Sequence, residues 1–195
     1  MLLLRKPRDA EVREFLREQQ SLPFSYPEPG MTKGTVPAGF ITDHNRIRLG
    51  TGAGSFARAR RGLQQWRMFD LEWVELMWPD TPIEAGAAVA VAVHQFGLWS
   101  LNACRIVYGI TEEGSVERYG FAYGTLPCHM ESGEELFSIE WRHDDDSVWY
   151  DILAFSRPRH FLARIGYPVS RMMQKRFAKD SLQAMLASTS ARKGK

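Results

Sequence analysis

No stretch of this sequence approaches the ~20 consecutive apolar residues of a membrane-spanning helix, and Met1–Leu4 is far too short for the core of a signal peptide. The expectation is a soluble, cytoplasmic protein without a transmembrane segment. Cysteine is scarce. Cys104 and Cys128 are the only two, they form no CxxC spacing, and neither a disulfide framework nor a zinc site can be built from them. Reduced structural thiols are expected. Internal repeats and low-complexity stretches are lacking too, which removes solenoid and linker architectures. Acids nearly vanish from the C-terminal fifth. From Arg157 to Lys195, ten Lys or Arg stand against one acid, Asp180, leaving fifteen basic and twenty-two acidic residues before it. Clustered bases raise the local anion concentration, so a weak contact of a basic C-terminal helix with an anionic surface is one reading. A merely solvated face is another, and complementarity to the acidic body a third. No specific nucleic-acid partner is expected.

What is present is a core-forming composition. At 195 residues with 44% apolar and 12% aromatic side chains, the chain suits one large core and is too apolar for a disordered one. Asp9 to Gln20 carries Val12, Phe15 and Leu16 at helical spacing, and Pro23, Pro27 and Pro29 then end any helix. Residues 1–39 are therefore predicted to be a short helix and a Pro/Gly-rich extended segment lying on the body. A strand around Arg46 to Leu49 leads into GTGAGS. Ser55 is the expected N-cap of a helix with Phe56, Ala59, Leu63 and Trp66 on its inward stripe.

After Arg67 the apolar period changes from 3.6 to 2. Turn residues divide the next ninety positions into strands near 69 to 78, 87 to 96, 99 to 110, 116 to 125, 135 to 142 and 148 to 156. The connections are too short for parallel crossovers, so an antiparallel meander is predicted. Two strands divide small from large. Tyr119, Phe121 and Tyr123 oppose Gly120, Ala122 and Gly124, and Val89, Val91 and Val93 oppose Ala88, Ala90 and Ala92. A helix or a ligand must fill the bare side. Beyond Pro158, apolar residues return to helical spacing up to about residue 188, with a break expected at Gly166 and Pro168. Residues 40–188 are assigned to one domain and 189–195 to a frayed basic tail.

A helix, a long antiparallel meander and a long C-terminal helix resemble the helix-grip fold of START, plant pathogenesis-allergen and polyketide-cyclase-like proteins. The fold class is thus α+β: a six- to seven-stranded antiparallel curved sheet wrapped around a long C-terminal helix. The resemblance implies an apolar cavity between the two, which would account for the small-residue faces. FSYPEPG at 24 to 30, LGTGAGSF at 49 to 56, GFAYGTL at 120 to 126, HMESGEE at 129 to 135 and AFSRP at 154 to 158 together resemble a domain-of-unknown-function family of bacteria and plants.

On that basis the leading expectation is a module binding an apolar or lipid-like small molecule. Val91, Val93, Tyr108, Phe121, Tyr123, Leu153, Met172 and Met173 are the expected lining, with Arg105, His129 and Glu131 as polar contacts. His129, Glu131, Glu134 and Glu135 cluster within seven residues, and histidine with carboxylates suits proton transfer. A cyclase- or hydrolase-like enzyme using His129 and Glu131 is the alternative, and an interaction module using the basic C-terminal helix a further one. No cofactor or metal is expected, since HExxH requires a helix and the H-x-E of deaminases a following P-C-x-x-C. GTGAGS lacks the parallel βαβ setting of a dinucleotide site and reads as a tight turn, with an anion held at the helix N-terminus as the alternative. Arg105 and Asp151, charged positions in otherwise apolar strands, either neutralise one another, lie on the outer face or, for Arg105, anchor an acidic head group.

Overall fold

Period-2 alternation with short turns between strands gives each strand its sequence neighbour as partner, and that is the sheet observed. The computed structural model describes residues 1–36, 38–158 and 167–190. Its elements are β1 (Leu2–Leu3), α1 (Asp9–Gln19), β2 (Ile41–Thr51), α2 (Gly52–Gln64), β3 (Val74–Met77), β4 (Ala88–Gln95), β5 (Leu98–Glu112), β6 (Val116–Thr125), β7 (Glu131–Arg142), β8 (Ser147–Pro158) and α3 (Tyr167–Thr189). Seven strands run in the order β2-β8-β7-β6-β5-β4-β3, every pairing antiparallel, with β1 added beside β5. Register shifts at Leu49 in β2 and Val107 in β5 bend those strands and help curl the sheet. The fold is α+β of helix-grip type. α2 joins the two edge strands across the concave side, and α3 lies in the same hollow.

Alternation sorts the residues onto two faces. Val89, Ile106, Phe121, Phe137, Ile139, Tyr150 and Ile152 point into the hollow, where they pack with Phe56, Ala59, Leu63 and Trp66 of the predicted α2 stripe and with Met185 of α3. Ala90, Ala92, Leu101, Ala103 and Leu126 form the outer face, covered by Val12 and Phe15 of α1. The small-residue faces therefore do not border the cavity, as the sequence had suggested. They receive the N-terminal segment. A Cβ on Gly124 would lie 2.1 Å from Tyr26 Oη, so the bare backbone there is the seat of an aromatic strap.

The strap is tied down along its length. Ser25 N–H donates to Thr125 O (2.9 Å) and Ser132 Oγ to Ser25 O (2.8 Å). Arg105 Nη1 donates to Gln20 O (2.8 Å) and Leu22 O (3.1 Å), with its guanidinium over the Phe24 ring. Asp151 also lies on the outer face, where it meets His44 (2.8 Å) and Arg46 (3.4 Å) rather than Arg105.

The starts of α2 and β3 differ from expectation. Ser55 does not cap α2. The helix begins at Gly52, because Gly50 and Gly52 take positive φ (154° and 77°) and turn the chain at once, with Gly52 N–H closing on Asp146 O. β3 starts only at Val74, since a 3₁₀ turn over Arg67–Phe69 uses the preceding residues to bury Met68 and Phe69. Residues 159–166, including the expected break at Gly166, and those beyond 190 lie outside the described residues. Pro168 stands in the first turn of α3, where a missing N–H leaves no intrahelical bond unmade.

Candidate functional site

The HMESGEE motif enters β7 at Glu131, and the strand period divides its carboxylates between the two faces. Glu131 and Glu135 point into the hollow with side-chain-free Gly133 between them. Glu134 points outward into the strap. A cavity of about 910 Å³ opens above Glu131 and Glu135, bounded by β4 to β8 on one side and the first half of α3 on the other. Its walls are mainly Phe69, Trp73, Val74, Val91, Val93, Ile152, Met173 and Phe177. The second half of α3 packs against α2 and β8. Met185 there packs against Gly62 of α2, and Tyr150 Oη meets Ser181 Oγ at 3.1 Å.

Polar groups in the cavity are few. Glu135 takes a hydrogen bond from Tyr123 Oη (2.8 Å). It is half-buried and lines the cavity. Desolvation pushes its carboxyl up to about 7, with Tyr123 opposing and the charge of Asp43 adding to the rise. Glu131 accepts from Ser170 Oγ of α3 through Oε1, while its buried Oε2 makes no hydrogen bond. Burial raises this carboxyl as well, although Ser170, the charge of Arg171, and nearby Ser156 and Gln174 favour the ionised form. Asp43, two strands from Glu135, receives both terminal nitrogens of Arg171 at 2.5 and 2.7 Å, which holds it below the usual carboxylate range.

His129 folds back on the backbone of Glu131, with Nδ1 3.0 Å from Glu131 N and 3.1 Å from Glu131 O. Burial depresses the imidazole to about 4, so the ring is neutral at physiological pH. The side chains of His129 and Glu131 are thus not joined to one another. Each is engaged elsewhere, and the hydrogen-bonded titratable pair in the cavity is Tyr123–Glu135.

Six of the expected site residues, Val91, Val93, Tyr123, His129, Glu131 and Met173, meet at this cavity. Five do not. Phe121 is fully buried behind it, because Trp66 fills that end of the hollow at 4.8 Å between ring centroids. Tyr108 lies on the outer face, bonded to Thr32 Oγ1 (2.6 Å) beneath Lys33, and burial pushes its phenol up to about 12. Arg105 lies on the outer face, where it clamps the strap. Leu153 faces outward, in register with His44 and Leu136. Met172 is 53% exposed on the far side of α3.

Other cavity residues escaped the sequence reading. Glu135 was visible in the cluster, and its spacing of four from Glu131 on a strand was the signal that both share a face. Asn102 was readable as a polar side chain inside the apolar run Leu101–Cys104. Phe69, Trp73 and Gln174 arrive from distant elements, and no local pattern marks them. The basic character of α3 is partly consumed within the molecule. Arg171 meets Asp43, and Arg176 covers the Trp73 ring and reaches Asp180 (3.4 Å). Among the described residues, no three His, Cys, Asp or Glu side chains are grouped to hold a metal ion, and no helix is long and apolar enough to cross a membrane.

Comparison with known proteins is consistent across most of the chain. The model of a domain of unknown function, DUF1990, matches residues 25–184. A UPF0548 protein of Dictyostelium discoideum is 37% identical over 205 residues, spanning 95% of this chain and 94% of that one. A UPF0548 protein of Deinococcus radiodurans is 35% identical over 191 residues, spanning 92% and 94%. Among solved structures, a hypothetical protein from Helicobacter pylori aligns with a TM-score of 0.50 at 11% identity, over 84% of this chain and 95% of that one, a likeness of fold.

Proposed function

This chain belongs to the DUF1990 family, and we propose that it binds an apolar small molecule in the cavity between the sheet and α3. The observation that supports this reading is the cavity itself: about 910 Å³, aromatic and aliphatic on most sides, with a few polar groups at fixed places. Ligand pockets of this size with mainly apolar walls and a few placed polar groups are the usual setting for apolar small molecules. The two walls are held independently of any occupant. The sheet is locked by its ladder, and α3 is fixed by its packed second half and by the Arg171–Asp43 and Ser170–Glu131 contacts at its beginning. The space is therefore largely preformed.

Nile red, a neutral apolar dye, tests the reading directly. Its fluorescence is expected to rise to saturation at one dye per chain. In Ala154→Trp, which plugs the floor between Asp43 and Glu135, the signal is expected to disappear while far-UV circular dichroism stays unchanged. Equal binding by the plugged variant, or none by the natural chain, would remove this function.

A further inference from the structure

Tyr123 and Glu135 stand directly opposite one another on β6 and β7, and the sheet ladder engages the backbone of both. What Glu135 leaves accessible is therefore mainly its side chain, which is half-buried and lines the cavity. Tyr123 Oη donates to Glu135 Oε2 at 2.8 Å, and among the described residues nothing donates to Oε1. The tyrosine ring is held by Phe69 and Phe137, with ring centroids 6.3 and 5.2 Å away, so the hydroxyl that orients the carboxylate is itself fixed. Glu131 offers less to a ligand, since Ser170 occupies its Oε1 and its Oε2 is enclosed.

Stability alone would not select an acid at position 135. Glutamine has nearly the same shape and would accept the Tyr123 hydroxyl without a charge to desolvate. Among the described residues, the ionisable groups around Glu135 are Asp43 on β2, whose charge adds to the rise of its carboxyl, Tyr150 on β8 and Cys104 on β5. His129 and Glu131 on its own strand and Lys175 on α3 line the same cavity. The outcome is a carboxyl held at about 7 beside an apolar space. Such a group both takes and returns a proton at neutral pH, where an ordinary carboxylate is too weak a base.

We infer that the cavity is a site of proton transfer as well as of binding: Glu135 Oε1 removes a proton from carbon in a neutral, largely apolar substrate, at a position acidified by an adjacent carbonyl, imine or aromatic ring, and Tyr123 positions the carboxylate. This rests on the cavity being a ligand site and adds a reaction to it. The step needs no further reactant. The C–H electron pair stays with the substrate and forms a new π bond as an existing one shifts or a leaving atom departs, and the proton on Glu135 passes to the product or to water.

The probe is 5-nitrobenzisoxazole, a neutral bicyclic molecule that a carboxylate in apolar surroundings can open. The base takes the ring C–H proton, the electron pair becomes the third C–N bond of a nitrile, and the N–O bond breaks to leave a coloured nitrophenolate. After the buffer reaction is subtracted, kcat/KM of the natural chain is expected to exceed that of Glu135→Gln at least about tenfold, with Nile red bound equally by both. The natural chain's rate should rise with a midpoint near pH 7 and then level. Tyr123→Phe should move that midpoint upward and keep the plateau, because the lost hydroxyl favours the ionised carboxylate. An unmoved midpoint in that variant would overturn the positioning role of Tyr123. The profile of the natural chain decides the main point even where a variant folds poorly. A rate that follows hydroxide without levelling, no rate above buffer, or a dye-binding Glu135→Gln as fast as the natural chain overturns the proton transfer and leaves the apolar site standing. Failure of Nile red itself to bind overturns both.

Discussion

Glu134 and Glu135 are adjacent on β7 and face opposite sides of the same sheet, with opposite consequences. Glu134 is 2% exposed, yet it accepts from Tyr26 Oη (2.7 Å), Gly30 N–H (2.6 Å), Thr32 N–H (3.0 Å) and Thr32 Oγ1. Each oxygen has two donors, and the strap is fastened to the sheet by them. Its effect reaches Tyr26, whose phenol is driven far upward by burial and then by the neighbouring carboxylate. Glu135 has one donor, Tyr123, and an open space in front of it. The outer carboxylate spends its hydrogen-bonding capacity on the fold, while the inner one retains capacity for something else. A buried charge is tolerable when fully bonded and destabilising when not, so side-chain burial alone cannot separate structural from functional acids; the number of partners does.

The largest test of this contrast is Glu134→Ala. It leaves the strap donors facing a hole, and a loss of about 3 kcal/mol in urea unfolding is expected. A loss under about 1 kcal/mol would show that the strap is held by apolar contacts alone.

Glu135→Gln should act in the other direction. The folded protein holds the Glu135 proton up to about pH 7, whereas the unfolded chain releases it near 4.5. Stability from this group is therefore fully present below about pH 4.5 and is lost as pH rises to about 7. The variant is expected to exceed the natural chain by up to about 3 kcal/mol at pH 8 and to match it at pH 4. His129 opposes this in the natural chain. Its depressed imidazole gives stability present above about pH 6.5 and lost as pH falls toward 4, so only the difference between variant and natural chain isolates Glu135. A difference independent of pH would contradict the desolvated state of the inner carboxylate.

Ser170→Ala should give the smallest change. It removes one donor from Glu131 at a wet edge of the cavity, and a stability loss of about 0.5–1 kcal/mol in the same titration is expected. A loss comparable to that of Glu134→Ala would place Glu131 among the structural acids.

These two faces also show how far local pattern can be read. The alternation through Tyr119–Thr125 revealed a bare side and a bulky side, and the pairing of successive strands followed from the shortness of their turns. Which side met the helices was not readable, because reversing a sheet leaves its period unchanged. An N-terminal helix and an aromatic strap filled the bare side, and the cavity formed over the bulky one. Arg105 lies on the bare side, and Tyr108 was misplaced because the register shift at Val107 turns it from the face of Ile106 to the opposite one. Phe121 was placed on the correct face, but whether it bordered space or core depended on where Trp66 arrived from α2.

The order of chain elements, the antiparallel meander and the inward stripe of α2 were determined by the sequence alone, since each is a matter of spacing between residues a few positions apart. Tertiary structure decided the curl that makes a hollow, the half of α3 that stays clear of the sheet, and the partner count of each buried carboxylate. Those depend on side chains brought together from segments a hundred residues distant, as Tyr26 meets Glu134 and Arg171 meets Asp43. No local period records such meetings, because they are settled only when the whole layer closes.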